Sequence, residues 1–331
     1  MSERASAQRI VYFGSGAFGL PTLAALRERH TLLGIVTQPD RPAGRSRKAT
    51  PTPVGLWAQE HAPALPVFKP ENVNAPEIVA QIRALPADAF VVIAFGQKMG
   101  RELLRDRFAI NLHASLLPRW RGAAPINHAI LAGDGETGNS VITLADRMDA
   151  GEVLGQSRRP ISPTVTAGEL HDLLAADGPA LVLDVLERRR EGTLAPVAQD
   201  ESKVTLAGKL SRADGAVDWA LGAGACAGRI NGLSPWPGVS ARLGETQLKL
   251  VRAASAELDS GTRSAVVAEP GLSAPGTLID PSVGLILCGG GTALRLIEVQ
   301  PAGGKPMAWD AFARGRHPSR GDRLVGESGS C

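Results

Sequence analysis

The residues best placed to do chemistry are an asparagine and a histidine two positions apart, Asn111 and His113. Alternate side chains of an extended strand point the same way, so both polar groups share one face while Ile110 and Leu112 occupy the other. An amide donor can hold a developing oxyanion, and an imidazole can manage protons. The pair therefore suits transfer of an acyl group to nitrogen. The alternative is that both side chains only cap a strand end through hydrogen bonds.

A carboxylate partner for His113 is available in the segment after a further strand, which contains Asp146 and Asp149. A carboxylate close to an imidazole favours the charged form of that ring. The second of these carboxylates lies beside a glycine, which permits a close backbone approach. Asp146 could instead be a turn residue facing solvent and paired with Arg147. The residues alone leave both carboxylates as candidates.

A glycine motif offers a different reaction class. Gly14, Gly16 and Gly19 follow a β-rich run and precede an apolar-periodic helix, the local context of a dinucleotide-binding turn. Such a site also needs an acidic residue at the end of the second strand, to hold the ribose hydroxyls. Here Asp40 comes two residues late, behind Pro39. We predict that the glycines only make a tight strand-to-helix turn, and an NAD-dependent dehydrogenase is the alternative.

Composition sets limits on the function classes. A chain of 331 residues, with 44% hydrophobic and 21% charged residues, predicts a globular protein of two domains. A net charge of +3 does not by itself indicate nucleic-acid binding. The three cysteines form no C-x-x-C pair that could hold zinc, and no run of eighteen apolar residues or apolar leader is present. We expect a monomeric cytoplasmic protein that needs no metal.

The elements that must position these residues form an alternating pattern in the first half of the chain. Alternating strands and helices predict an α/β fold, a Rossmann-like doubly wound and mostly parallel sheet with helices on both faces. Sites in such sheets lie beyond the carboxyl ends of strands, where Asn111 and His113 are expected. The predicted strands are residues 9–13, 32–37, 88–95 and 108–112. A long helix is expected over residues 167–190, with Thr166 as its N-cap.

The pattern changes beyond residue 208, to one helix followed by short strands between Gly and Pro clusters. The predicted strands are residues 246–251, 285–288 and 293–299. This texture predicts a second, smaller domain, an OB-like β-barrel. We therefore predict a catalytic domain over residues 1–192, a linker over 193–207, a barrel domain over 208–316 and a polar tail over 317–331.

Taken together, these motifs resemble the family of 10-formyltetrahydrofolate-dependent formyltransferases. The resemblance rests on Asn-x-His, then Ser-Leu-Leu-Pro, then an aspartate 36 residues after the histidine, a spacing that selects Asp149 over Asp146. It covers roughly residues 9–316, including motifs at 230–238 and 304–307 in the second half. The chain departs from the family in residues 146–151, which are fewer than in the family's usual stretch. The predicted catalytic residues are Asn111, His113 and Asp149.

The resemblance implies a substrate pair as well as a fold. It implies transfer of a formyl group from 10-formyltetrahydrofolate to the α-amine of methionine on initiator tRNA, with neither metal nor NAD. Asn111 and a cationic His113 are then expected to hold the oxyanion, and Asp149 to orient the imidazole. The folate is expected to lie against two turns at strand ends. The residues predicted to bind it are Phe95, Gly96, Ser115, Leu116, Leu117 and Pro118.

The loop over residues 40–48 is the candidate RNA-binding segment. It carries four cations in the eight residues after its acid, enough to contact phosphates. The predicted tRNA-binding residues are Arg41, Arg45, Arg47 and Lys48, and Arg45 matches the family's tRNA-contacting arginine. A solvated loop is the alternative. Two rival functions are a formyltransferase for a sugar or nucleotide amine, which needs neither this loop nor a barrel, and a non-catalytic RNA-binding module.

Overall fold

The computed structural model describes residues 7–43 and 48–327. Contacts divide the chain into two compact units. The first comprises the described parts of Met1–Arg121, Gly138–Arg158 and His171–Thr205, and the second those of Gly122–Thr137, Arg159–Leu170 and Leu206–Cys331. Among the described helices, none combines the length and the apolar composition that crossing a membrane requires.

The first unit is built on a seven-stranded sheet. The described strands up to residue 160 are β1 (Arg9–Gly14), β2 (Thr31–Val36), β3 (Arg41–Ala43), β4 (Lys48–Thr50), β5 (Val67–Phe68), β6 (Ala89–Ile93), β7 (Phe108–His113), β8 (Arg121–Gly122), β9 (Glu136–Thr143) and β10 (Val153–Pro160). The sheet order is β10-β9-β7-β6-β1-β2-β5. Five neighbouring strands of this sheet, β7, β6, β1, β2 and β5, run parallel to one another, and β9 is antiparallel to β7. This confirms the predicted Rossmann-like, mostly parallel sheet.

The helices over the same part of the chain begin with recognisable signals. They are α1 (Leu20–Arg29), α2 (Pro53–His61), α3 (Pro76–Arg83), α4 (Arg101–Leu104), α5 (Pro125–Leu131) and α6 (Ala167–Glu191). Thr52 caps α2 by accepting a hydrogen bond from the Gly55 amide at 2.9 Å. Thr166 and Glu169 form reciprocal bonds at the start of α6, since the Thr166 amide donates to Glu169 at 3.0 Å and the Glu169 amide donates to Thr166 at 3.3 Å. The helix predicted over residues 167–190 is therefore present.

One helix fixes which face of β7 is free for chemistry. Gly178 of α6 lies so close to the sheet that a Cβ added there would be 2.8 Å from Leu112 Cδ2. Leu112 and Ile110 are both buried. The apolar face of β7 is thus covered, and Asn111 and His113 alternate to the other face.

The glycine motif serves packing around Tyr12. A Cβ added at Gly19 would be 1.9 Å from the Tyr12 hydroxyl oxygen, and one added at Gly14 would be 2.6 Å from it. Tyr12 is fully buried, and burial raises the pKa of its hydroxyl. The space that these glycines leave is filled by a side chain of the protein, which agrees with the predicted tight strand-to-helix turn.

The second unit contains a curled antiparallel sheet. The strands of this sheet are β12 (Val239–Leu243), β13 (Thr246–Ala256), β14 (Leu278–Asp280), β15 (Leu285–Cys288), β16 (Thr292–Pro301), β17 (Met307–Ala308) and β18 (Leu324–Glu327). The strand before them, β11 (Leu206–Ala207), pairs with β8 instead. The helices in this part of the chain are α7 (Ala223–Gly232), α8 (Ser260–Ala268) and α9 (Trp309–Arg316). The main order is β14-β15-β16-β13-β12-β18. The Leu278 amide donates to the Asp322 carbonyl at 2.8 Å, so the two edges meet as in a partial barrel. The predicted smaller OB-like β-barrel domain is confirmed in this form.

Two segments differ from their sequence-based description. Residues 317–331 were expected to form a polar tail, but β18 pairs with β12, and Leu324 is buried because it completes the apolar core of this unit. Residues 328–331, which include Cys331, lie outside the described part of the chain. Residues 193–205, expected to act as a linker, belong by their contacts to the first compact unit.

Candidate active site

The candidate site lies at the carboxyl end of β7, within the first unit. Asn111 is aligned with Val92 of β6 and Ile142 of β9, so its backbone is fixed on both sides. Its side chain is half-buried, and within the part of the chain that the structure describes it has no hydrogen-bond partner. An amide in this state has both donors available for a ligand.

The imidazole of His113 is buried between two oxygen atoms. Its Nε2 lies 2.9 Å from the Trp120 carbonyl oxygen, and its Nδ1 lies 3.7 Å from Oδ2 of Asp149. A carbonyl can only accept, so this contact keeps a proton on Nε2. The other ring nitrogen, Nδ1, faces the Asp149 carboxylate. The two nitrogens are thus distinguished by their partners, and Nδ1 is the candidate position for proton transfer.

The backbone around Asp149 has an unusual conformation. Asp149 has a φ of 52°, in the left-handed region, and its side chain is only 12% exposed. A Cβ at Gly151 would be 1.7 Å from the Thr143 carbonyl oxygen, so only glycine lets the loop lie against β9. The side-chain amide of Gln199 donates to the carbonyls of Asp149 at 2.8 Å and of Gly151 at 2.7 Å. The short loop that departs from the family pattern is thus held from both ends.

The other candidate carboxylate is outside this arrangement. Asp146 is exposed and pairs with Arg101, whose Nε lies 3.2 Å from Oδ1 of Asp146. This guanidinium lowers the pKa of Asp146. Arg147 pairs with Glu201 at 2.9 Å, so the pairing of Asp146 with Arg147 that the sequence suggested does not form.

The turn after β7 has little polar capacity left for a ligand. The Ser115 hydroxyl donates to the Arg119 carbonyl at 2.7 Å, and the Ser115 carbonyl accepts from Ser140 at 2.6 Å. The Leu117 amide donates to the Ser140 hydroxyl at 3.0 Å, and the Leu117 side chain is buried. The partly exposed side chains of the turn are Leu116 and Pro118. Of the four predicted folate contacts here, these two present accessible surface.

The turn after β6 presents backbone. Phe95 packs edge-on against Phe13, with ring centroids 5.7 Å apart, and its side chain belongs to the core. Its carbonyl accepts bonds from Ser15 and Gln38, each at 3.1 Å. Gly96 is exposed, with a φ of 85°. A ligand could therefore reach the backbone of this turn, while the Phe95 ring is committed to packing.

The candidate RNA-binding loop is described only at its base. Arg41 in β3 pairs with Glu71 at 2.5 Å, and Lys48 at the start of β4 is exposed. Asp40 pairs with Lys69 at 2.6 Å. Arg45 and Arg47 lie outside the described residues.

A metal site would need side chains that commonly bind metals to lie together. Among the His, Cys, Asp and Glu residues in the described ranges, no group of three or more could hold a metal ion. Cys226 and Cys288 are buried free thiols in the second unit.

Three further residues around His113 were not among the predicted site residues. Trp120 supplies the carbonyl at Nε2, Gln199 holds the Asp149 loop, and Thr205 accepts from the Trp120 amide at 2.9 Å. Gln199 is 50 residues from Asp149, in the segment expected to be a linker. A single glutamine in a polar run carries no periodicity or motif that could have identified it.

Comparison with known proteins gives consistent matches over both halves of the chain. The family described as "Formyl transferase" matches residues 8–186, and its C-terminal domain matches residues 209–317. Methionyl-tRNA formyltransferase from Symbiobacterium thermophilum is 41% identical, covering 96% of this chain and 95% of the relative. The enzyme of that name from Methylococcus capsulatus is 40% identical, covering 96% and 99%.

Solved structures share the fold at low sequence identity. A Helicobacter canadensis N-formyltransferase, crystallised with folinic acid and dTDP-3-aminofucose, has a TM-score of 0.61 at 13% identity, covering 88% of this chain and 98% of that one. HypX from Aquifex aeolicus, in complex with tetrahydrofolic acid, has a TM-score of 0.60 at 15% identity over 93% of this chain. The chain spans 47% of the length of HypX.

Proposed function

The chain belongs to the formyl transferase family, and from that premise we propose that it transfers a formyl group from 10-formyltetrahydrofolate to the α-amine of methionine on initiator tRNA. The products are N-formylmethionyl-tRNA and tetrahydrofolate, so the protein acts in translation initiation. The observation that carries the chemistry is the His113 imidazole, which lies between the Trp120 carbonyl and the Asp149 carboxylate. On the strand of His113, the Asn111 side-chain amide has no hydrogen-bond partner among the described residues. The choice of substrates rests on the relatives at 41% and 40% identity.

Each of the three residues has one task in the reaction. The Asn111 amide donates to the formyl oxygen, where negative charge develops as the amine attacks the formyl carbon. His113 keeps its Nε2 proton on Trp120 and accepts at Nδ1 the proton that the amine loses. Asp149 stabilises the imidazolium, whose charge also helps to hold the oxyanion.

The proton balance then closes. The new bond joins the amine nitrogen to the formyl carbon, and the bond from that carbon to the folate nitrogen breaks. His113 returns its proton to the departing nitrogen, so no net proton is taken up or released. An α-amine has a pKa of about 8, so a useful fraction is neutral before attack.

We infer that the donor lies against the two turns at the strand ends. Exposed backbone at Gly96 offers hydrogen bonds to a pterin edge, and the half-buried Leu116 and Pro118 offer apolar surface to its ring. Phe95 contributes through its backbone, since its side chain is in the core. Ser115 and Leu117 shape the turn from beneath.

We infer that phosphates of the tRNA bind the loop between β3 and β4. Arg41 and Lys48 are the described members of the predicted set, and Arg45 and Arg47 complete it. Binding there would exchange the Arg41–Glu71 pair for a phosphate contact, which makes affinity depend on salt. We also propose that the protein is a monomer. We propose a cytoplasmic location because charged tRNA is found there. We further propose that the catalytic domain ends at residue 192 and that the barrel domain begins at residue 208.

The test is transfer of radiolabelled formyl from 10-formyltetrahydrofolate to initiator Met-tRNA, with glycinamide ribonucleotide and a nucleotide-linked amino sugar as competing acceptors. We expect label on Met-tRNA with the wild type, and its loss with Asp149→Ala. Label on a small acceptor alone would replace the proposed substrate. Equal activity of wild type and variant would remove Asp149 from the site.

A further inference from the structure

We propose that Gln199 is a positioning residue for formyl transfer, which sets the Asp149 carboxylate against His113. More broadly, residues 199–205 hold both oxygen partners of the imidazole. The proposal rests on the function inferred above and adds residues that do not touch substrate. All the groups involved lie in the first compact unit.

The first contact is a double one. Nε2 of Gln199 donates to the Asp149 carbonyl at 2.8 Å and to the Gly151 carbonyl at 2.7 Å. A primary amide has two donors, so one side chain satisfies two backbone acceptors of the same loop. These bonds hold the loop with Asp149 at a φ of 52°, a conformation that a residue with a Cβ adopts only at a cost.

The second contact fixes the orientation of that amide. Nε of Arg121 donates to Oε1 of Gln199 at 3.0 Å, and a guanidinium can only donate. The amide oxygen must therefore face Arg121, which directs the NH₂ group towards the loop. Arg121 is itself only 6% exposed and pairs through Nη2 with Glu201 at 2.9 Å. Only this orientation lets Gln199 accept from Arg121 and donate to both loop carbonyls.

The third contact acts on the other side of the ring. The Trp120 amide donates to the Thr205 hydroxyl at 2.9 Å, and the Arg121 amide donates to the Thr205 carbonyl at 2.9 Å. Trp120 has a φ of 63°, also left-handed, and its carbonyl is the partner of His113 Nε2. One short segment therefore fixes the acceptor at Nε2 and the carboxylate at Nδ1.

The test removes the amide donors and keeps the volume. We expect Gln199→Met to lower kcat for Met-tRNA formylation by about 10- to 100-fold, because displacement of a group by about 1 Å can cost that much. KM for both substrates should change less than about twofold, since the proposed role of Gln199 is exerted through Asp149. The second variant is Gln199→Glu, which keeps the acceptor for Arg121 and loses both donors. If Gln199→Met does not fold, kcat of Gln199→Glu is the measurement that tests the proposal.

The matched control is Gln300→Met in the second unit. Gln300 also donates its amide to a carbonyl, that of Gly304 at 2.9 Å, so this variant loses the same kind of bond away from the site. It should retain wild-type kcat. Thermal unfolding of all variants reports whether each is folded.

A double-mutant cycle distinguishes positioning from general loosening. If Gln199 acts through Asp149, then Gln199→Met should add almost nothing to Asp149→Ala. The proposal would be overturned if the fold decrease in kcat of the double variant equalled the product of the two single decreases. A wild-type kcat in both Gln199 variants would also overturn it. If the wild type itself formylates no Met-tRNA, the proposed function fails instead, so the two failures are distinct.

Discussion

His113 has different partners at its two ring nitrogens, and this difference assigns them different roles in the proposed proton transfer. The Trp120 carbonyl keeps Nε2 protonated, so Nδ1, beside the Asp149 carboxylate, is the position that changes its proton. Asn111 is two residues earlier on the same face of β7. In the proposed reaction, this strand supplies both the oxyanion donor and the proton acceptor.

At this scale the decisive substitution is Asn111→Ala. It removes a donor that stabilises charge only as the reaction proceeds, so kcat should fall by roughly 100-fold or more while KM changes little. The measurement is steady-state formylation of Met-tRNA. Asn72→Ala, in a surface turn, is the control and should keep wild-type kcat. A rise in KM with kcat unchanged would assign Asn111 to substrate binding instead.

At the scale of elements, the start of α6 combines a cap with an ion pair. Glu169 accepts from the Thr166 amide at 3.0 Å, and its Oε1 lies 2.6 Å from Nη2 of Arg252 on β13. Hydrogen bonding from Arg252 lowers the pKa of Glu169 to about 2. The helix begins at the predicted residue because the Glu169 carboxylate is bound both by the local Thr166 amide and by the distant Arg252 guanidinium.

This carboxylate gives a pH-dependent prediction. Because the folded-state pKa is depressed, the stabilisation by Glu169 is present above about pH 4.5 and is lost as the pH falls through about 2. Glu169→Gln should therefore lower the unfolding midpoint at about pH 7, and the gap to wild type should shrink at about pH 3. The side chain is 46% exposed, so the loss at neutral pH should not exceed about 1 kcal/mol.

Urea unfolding at the two pH values measures this gap. Glu257→Gln, at an exposed position, is the matched control and should leave the midpoint unchanged at both. A gap that stays constant, or grows as the pH falls, would show that the charge of Glu169 does not contribute as described.

At the scale of the whole molecule, the predicted catalytic residues all lie in one compact unit of the chain. Asn111, His113, Asp149 and the segment that holds them all belong to the first compact unit. This placement is compatible with the proposed monomer. We expect light scattering of the active protein to give the mass of one chain, 34.5 kDa, at all working concentrations. A mass of two chains that persists on dilution would contradict the proposed monomer.

Local patterns in the sequence were sufficient to predict the main elements and to select candidate catalytic residues. Asn-x-His on an apolar strand placed two polar groups on one face because strand periodicity is a property of a few consecutive residues. The helix from Ala167 followed from its cap and its arginine-rich end for the same reason. Strand and helix alternation was enough for the α/β fold, and the spacing to Asp149 came from the family resemblance.

Only the tertiary structure decided which residues support these groups. Gln199 bonds to backbone carbonyls 48 and 50 residues away, and any loop residue can supply a carbonyl, so no residue type marks the pairing. The Phe95 ring lies in the core, where Phe13 packs against it. Gly14 and Gly19 accommodate Tyr12, a partner that a turn motif does not specify. Long-range contacts of this kind depend on how separate elements pack, and a sequence window contains only one side of each contact.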